Sequence, residues 1–186
     1  MASSKHLFVL RHAKSSWDDP GLDDHERPLA PRGRRAVKVL AEHLREHDIH
    51  PAQILCSSSR RTRETLEGID PDGERLIEPE LYGASASGLL ERLRQVPKDV
   101  DSVMLIGHNP ALQLLVLRLA GGTGSGGAGG ERDGSSMSEV QSKFPTGALA
   151  TLEFKCSWDK LGPGRAQLVG FVRPKDLARG GKQDRS

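Results

Sequence analysis

"HLFVLRHAKSSW", residues 6–17, sets four apolar residues, Leu7 to Leu10, directly against Arg11 and His12. A short apolar run of this kind reads as a buried strand. Arg and His are ordinary where a strand reaches the surface. Whether this pair does more depends on how the other strands of the chain end.

Working outward, residues 12–30 are polar, carry Pro20, Gly21 and Pro28, and predict a long loop. Loops of that length in compact domains are often functional. From Pro31 to Glu46, Val37, Leu40, Ala41 and Leu44 recur at helical spacing. Strands are predicted at 52–58, "AQILCSS", at the start of "ERLIEPELYG", and at 102–107, "SVMLIG". Helices are predicted in "RTRETLEGI", in "GLLERLRQV" and in "ALQLLVLRLAG", the last closed by glycine. "GALATLEFK" and "AQLVGFVR" read as two further strands, paired as a hairpin at the far end of the sheet, with "LGPG" as a turn between them. The alternation of strands and helices predicts one α/β domain, three-layered, with a mainly parallel central sheet flanked by helices. The domain is expected to span residues 1–186, with no repeat and no second domain. Residues 121–138 are rich in Gly and Ser, and predict a flexible surface loop. They lack the spacing of a nucleotide-binding loop and follow a helix rather than a strand. A polar, frayed tail is expected from about Arg179.

Ligands of open α/β sheets bind beyond the carboxyl ends of the strands. Three predicted strands end in residues with chemical capacity: Arg11-His12, then Arg60 and Arg61 in "CSSSRRT", then His108 in "IGHNP". Each has an ordinary reading as a surface strand end, a helix start or a turn. Together they define a pocket for a doubly charged anion. Arginine presents a planar fork that matches phosphate oxygens. A neutral histidine can attack phosphorus and carry the phosphoryl group as a covalent intermediate. A second histidine can stabilise charge on the equatorial oxygens. Arginines can supply the charge that a metal supplies elsewhere, and no metal-ligating cluster is evident, so no metal or cofactor is expected.

The bulk numbers exclude several classes. The chain has 186 residues, 35% hydrophobic and 28% charged, with a net charge of +2. That charge is too mild for a nucleic-acid partner. No apolar run is long enough for a secretory signal or a membrane span. The two cysteines, Cys56 and Cys156, form no disulfide framework or metal motif. A cytoplasmic monomer is expected. A cysteine phosphatase would need Cys-x5-Arg. Arg61 comes one residue too early after Cys56, and Cys56 reads as a buried strand residue.

The pieces "LFVLRHAKSSWDD", "RPLAPRGRRA", "ILCSSSRRTRET", "LYGAS", "SVMLIGHNP", "FPTGALATLEF" and "LGPGRAQLVGFVRPKDL" resemble, in order, the histidine phosphatase superfamily. Within that phosphoglycerate mutase-like group, the chain most resembles the SixA-type phosphohistidine phosphatases. The resemblance implies His12 as the phosphorylated nucleophile and Arg11 as a phosphate ligand. It implies Arg61 as the second arginine, since Ser57, Arg61 and Thr65 match the family's Ser-x-x-x-Arg-x-x-x-Thr spacing, and His108 as the second catalytic histidine. Ser57 and Asn109 are expected to contact substrate. Mutase-type members carry a glutamate acid after the second helix region. Glu80 is carried over to that role, with Glu78 or no acid as alternatives. SixA-type members lack the insertions that roof the mutase site. The implied substrate is phosphohistidine in a protein, the alternatives being small phosphate esters or non-catalytic phosphate binding.

Overall fold

The computed structural model describes residues 3–121 and 131–180. Strand β1 (Lys5–Arg11) is followed by α1 (Pro31–Glu46), β2 (Gln53–Ser57), α2 (Arg60–Ile69) and β3 (Glu74–Glu78). Then come α3 (Ala86–Arg94), β4 (Ser102–Gly107), α4 (Ala111–Ala120), α5 (Glu131–Ser142), β5 (Leu149–Phe154), β6 (Gln167–Val172) and α6 (Pro174–Gly180). The strands form one six-stranded sheet in the order β3-β2-β4-β1-β5-β6. The first four run parallel, β5 is antiparallel to β1, and β6 is antiparallel to β5. The sheet is therefore mainly parallel as expected, and the expected hairpin at one edge makes it mixed.

The continuous apolar run in β1 has a simple cause. Leu7 and Val9 face one core, with Leu55, Leu105, Leu112 and Trp158. Phe8 and Leu10 face the other, with Ile54, Met104, Val37 and Leu66. A strand covered by helices on both faces has no position left for a polar residue. Outer strand β3 has the opposite character. Glu74 and Arg75 are exposed on it, which discourages pairing with another chain.

Two expectations need correction. The Gly/Ser-rich composition predicts a loop as far as Ser138, but α5 begins at Glu131. Its average composition is polar, yet Val140 and the following Phe144 are buried in the core. Gln113 Nε2 donates to the Val140 carbonyl at 2.7 Å and ties α5 to α4. Residues 122–130 lie outside the described residues. A polar tail is expected from about Arg179, but α6 continues to Gly180, and the expectation for 181–186 lies outside the described residues. Among the described residues no helix is long and apolar enough to cross a membrane.

Parallel pairing sets the position of the site. Arg11 lies in register with Gly107, and Cys56 with Ile106. The carboxyl ends of β1, β2 and β4 therefore finish side by side. The residues that follow them, His12, Ser57 to Arg61, and His108, emerge at one sheet edge.

Candidate active site

His12 stands at the centre, immediately beyond β1 and only 6% exposed. Its backbone N–H donates to the Gly107 carbonyl at 3.2 Å, which continues the β1–β4 ladder into the site. Its Nδ1 lies 2.8 Å from the Ala13 carbonyl. A carbonyl can only accept, so Nδ1 carries the proton and the Nε2 lone pair is left for reaction. Burial, assisted by the charges of His108, Arg61 and Arg11, holds the imidazole pKa down at about 3 against the opposing Ala13 bond. The ring is a neutral base at physiological pH. Thr65 fixes the next residue by accepting from the Ala13 N–H at 3.1 Å, while its own hydroxyl donates to the Arg61 carbonyl at 2.7 Å.

The His108 ring centroid lies 5.3 Å from that of His12. Arg61 Nη2 approaches His108 Nδ1 at 3.4 Å. A guanidinium has no lone pair to offer, so Nδ1 accepts and Nε2 donates to Ser57 Oγ at 2.8 Å. Burial first, and Arg61 next, lower the His108 pKa to about 4, with Asp24 opposing. An entering phosphate dianion would supply the negative charge this pair lacks and draw a proton onto His108.

The arginines come from different elements. Arg61 lies in the first turn of α2, whose N-terminus Ser59 caps by accepting from the Thr62 N–H. Arg61 Nη1 donates to the Asp24 carbonyl at 2.7 Å, and Nη2 to Asp24 Oδ2 at 3.0 Å. Arg11 Nη1 donates to the Phe144 carbonyl at 2.9 Å, while its buried Nε has no partner among the described residues. That orphan donor and the N–H groups Arg61 does not use are suited to an anion. Asn109 Nδ2 donates to the same Phe144 carbonyl at 3.0 Å.

Arg11, His12, Ser57, Arg61, His108 and Asn109 thus gather at one sheet edge. Glu80 is apart from this network. It is exposed on the short helical turn after β3, with no side-chain hydrogen bond or ion pair among the described residues. Glu78 is held by Arg92 at 2.7 Å. Asp24 and Tyr82 also belong to the site, although the sequence does not mark them as members. Tyr82 donates to Asp24 Oδ2 at 2.7 Å and sets its ring edge-on to His108, centroids 5.5 Å apart. That hydroxyl, with Arg61 and Arg27, holds the Asp24 carboxyl down at about 2. Only the "LYGAS" piece hints at Tyr82. Nothing separates Asp24 from the other acids of its loop.

Cys56 is fully buried in β2, and burial pushes its thiol up to about 12. It cannot be a thiolate nucleophile at neutral pH. Cys56→Ala is expected to leave kcat/KM unchanged and to cost roughly 1 kcal/mol in denaturant unfolding. Loss of turnover with an intact fold would return the thiol to consideration.

Comparison with known proteins places this chain in a family. The model of the histidine phosphatase superfamily (branch 1) matches residues 7–82. An uncharacterized protein of Mycobacterium tuberculosis is 36% identical over 166 residues, 89% of this chain and 100% of its own length. The phosphohistidine phosphatase SixA of Escherichia coli is 28% identical over 123 residues, 62% of this chain and 74% of that protein. A solved structure of a candidate SixA phosphohistidine phosphatase from Nakamurella multipartitia superposes with a TM-score of 0.80 at 27% identity, covering 93% of this chain and 98% of that one. The chain belongs to the histidine phosphatase superfamily, and it is a phosphatase.

Proposed function

We propose that the protein hydrolyses phosphohistidine in a protein substrate, through a phosphoryl intermediate on His12 and without a metal ion. The observation that carries this reading is the His12 ring itself. It is neutral, its tautomer is fixed by Ala13, and the ring lies 5.3 Å from that of His108 and within the field of Arg11 and Arg61. Nε2 attacks phosphorus, the bond from phosphorus to the substrate imidazole breaks, and that imidazole leaves, taking a proton from solvent water. Water then attacks the phosphoryl group on His12. Inorganic phosphate departs and the neutral ring returns. Arg11, Arg61 and His108 hold the charge on the equatorial oxygens during both transfers.

The leaving group favours phosphohistidine over an alcohol ester. An alkoxide needs a strong proton donor as it departs, and an imidazole needs far less help. Glu80 stands outside the hydrogen-bond network of the site, Glu78 is paired with Arg92, and Asp24 is held ionised, so none of the three is placed as a proton donor to a leaving group. The test compares kcat/KM for phosphohistidine peptides with that for small phosphomonoesters, with and without excess EDTA. The peptides should be preferred, and EDTA should change neither rate. Equal or better turnover of the esters would overturn the substrate assignment. Loss of activity in EDTA restored by Mg²⁺ would overturn the metal-free mechanism.

A further inference from the structure

Beside the site lies a cavity of about 440 Å³. Its wall carries Arg11, Lys14, Arg32, Lys143, Arg173 and Lys175, and the remaining lining is Ala, Pro and Thr, with no acidic residue. Arg173 is already neutralised, with Nε 2.8 Å from Asp176 and Nη2 3.4 Å from Glu139. The side chains of Lys14, Arg32, Lys143 and Lys175 are exposed and make no hydrogen bond or ion pair among the described residues. The net charge of the whole chain is only +2. The concentration of unpaired cations here is therefore local, not a background property of the surface.

The cavity is fastened to the catalytic strand. Lys14 lies two residues after His12, and Lys143 precedes the turn into β5. The Gly147 N–H in that turn donates to the carbonyls of Arg11 and His12 at 3.1 and 3.0 Å. Gly147 has φ +76°, and a Cβ there would lie 2.7 Å from Pro174 at the start of α6. The β1 end, the β5 turn and the β6–α6 junction are thus locked together. Arg11 belongs both to this wall and to the phosphate pocket.

We propose that this cavity is a docking subsite for acidic side chains flanking the phosphorylated residue of the protein substrate. The inference rests on the phosphoprotein reading above. Three of its four free cations are lysines, point charges on flexible stems carried by different segments. Such a set suits several mobile carboxylates better than one rigid phosphate, which a planar arginine fork would recognise. An acidic flank bound here would bring its phosphoryl group to His12 through the shared Arg11.

The experiment uses two phosphohistidine peptides of equal length, one with glutamate flanks and one with serine flanks. Wild type should prefer the acidic peptide about tenfold in kcat/KM at low salt, through KM, and the preference should shrink as salt screens it. The exposed triple variant Lys14→Gln, Lys143→Gln, Lys175→Gln should lose the preference while hydrolysing the serine-flanked peptide at the wild-type rate. Lys143→Glu with Lys175→Glu should reverse it toward a lysine-flanked peptide. A further arm keeps the inference separate from the phosphohistidine assignment. An unphosphorylated glutamate peptide should inhibit turnover of a small phosphomonoester competitively in wild type, and markedly less in the triple variant. A wild type blind to flanking charge, a preference that survives in the variants, or equal inhibition of both proteins would each overturn the inference.

Discussion

His12→Ala is expected to remove turnover almost entirely, by roughly four orders of magnitude or more, as for loss of other covalent nucleophiles. The physical reason is that no nearby group can take over. Cys56 is fully buried on β2 with its thiol pushed to about 12, and the His108 ring has both nitrogens engaged, by Arg61 and Ser57. Rapid quenching of wild type with labelled substrate should trap an adduct that is labile to acid and stable to base, mapping to His12. The variant should show none. The His12 pKa of about 3 adds a pH signature, because the proposed nucleophile stays unprotonated far into the acid range. Any loss of kcat/KM between pH 7 and 5 should therefore come from the substrate or from other groups.

The same shift has a stability consequence whose sign is fixed. The folded ring binds its proton only near pH 3, while an unfolded histidine does so near 6.5. Between those values the unfolded chain holds more protons, so acid favours unfolding. Wild type should lose stability as pH falls below about 6.5, and His12→Ala, lacking this group, should lose less of it. A variant that is inactive but less sensitive to acid would show that the defect is chemical. A labelled adduct on His12→Ala, or wild-type turnover by it, would remove His12 from the mechanism.

Most residues of the candidate site are legible in the sequence because burial writes a plain pattern. Strands β1, β2 and β4 are covered on both faces, so their apolar runs stop where the sheet stops, and the next residues must lie at the edge. Arg11, His12, Ser57, Arg61 and His108 all follow from those stops and the family spacing. Asp24 and Tyr82 do not, since their positions depend on hydrogen bonds spanning 37 and 58 residues of chain. No local periodicity encodes such contacts. Glu80 shows the same limit from the other side. The resemblance points to the turn after β3, but Tyr82, two residues later, is the one whose side chain reaches the site. Helix α5 is hidden because Val140 and Phe144 are sparse anchors in an otherwise polar, glycine-rich stretch.

Arg61→Ala should lower kcat/KM by about 10²–10³-fold, the usual scale for removing one donor to developing transition-state charge. Arg61 is buried in the first turn of α2, and Asp24 grips it by a backbone carbonyl and a carboxylate oxygen. The guanidinium is therefore held in one orientation before substrate arrives, and no binding energy is needed to arrange it. Arg61→Lys should recover little of the loss. A lysine restores the charge but offers no fork to satisfy both Asp24 and a phosphoryl oxygen. The fold should survive either change, because Asp24 keeps its bonds to Arg27 and Tyr82 and is half exposed to water. The two variants differ from His12→Ala in kind. Label should still appear on His12, but slowly, since the nucleophile remains while one clamp on its transition state is gone. Near wild-type kcat/KM for Arg61→Ala would show that Arg11 and His108 carry the phosphoryl charge alone, and Arg61 would then be a brace for Asp24 rather than a ligand of the substrate.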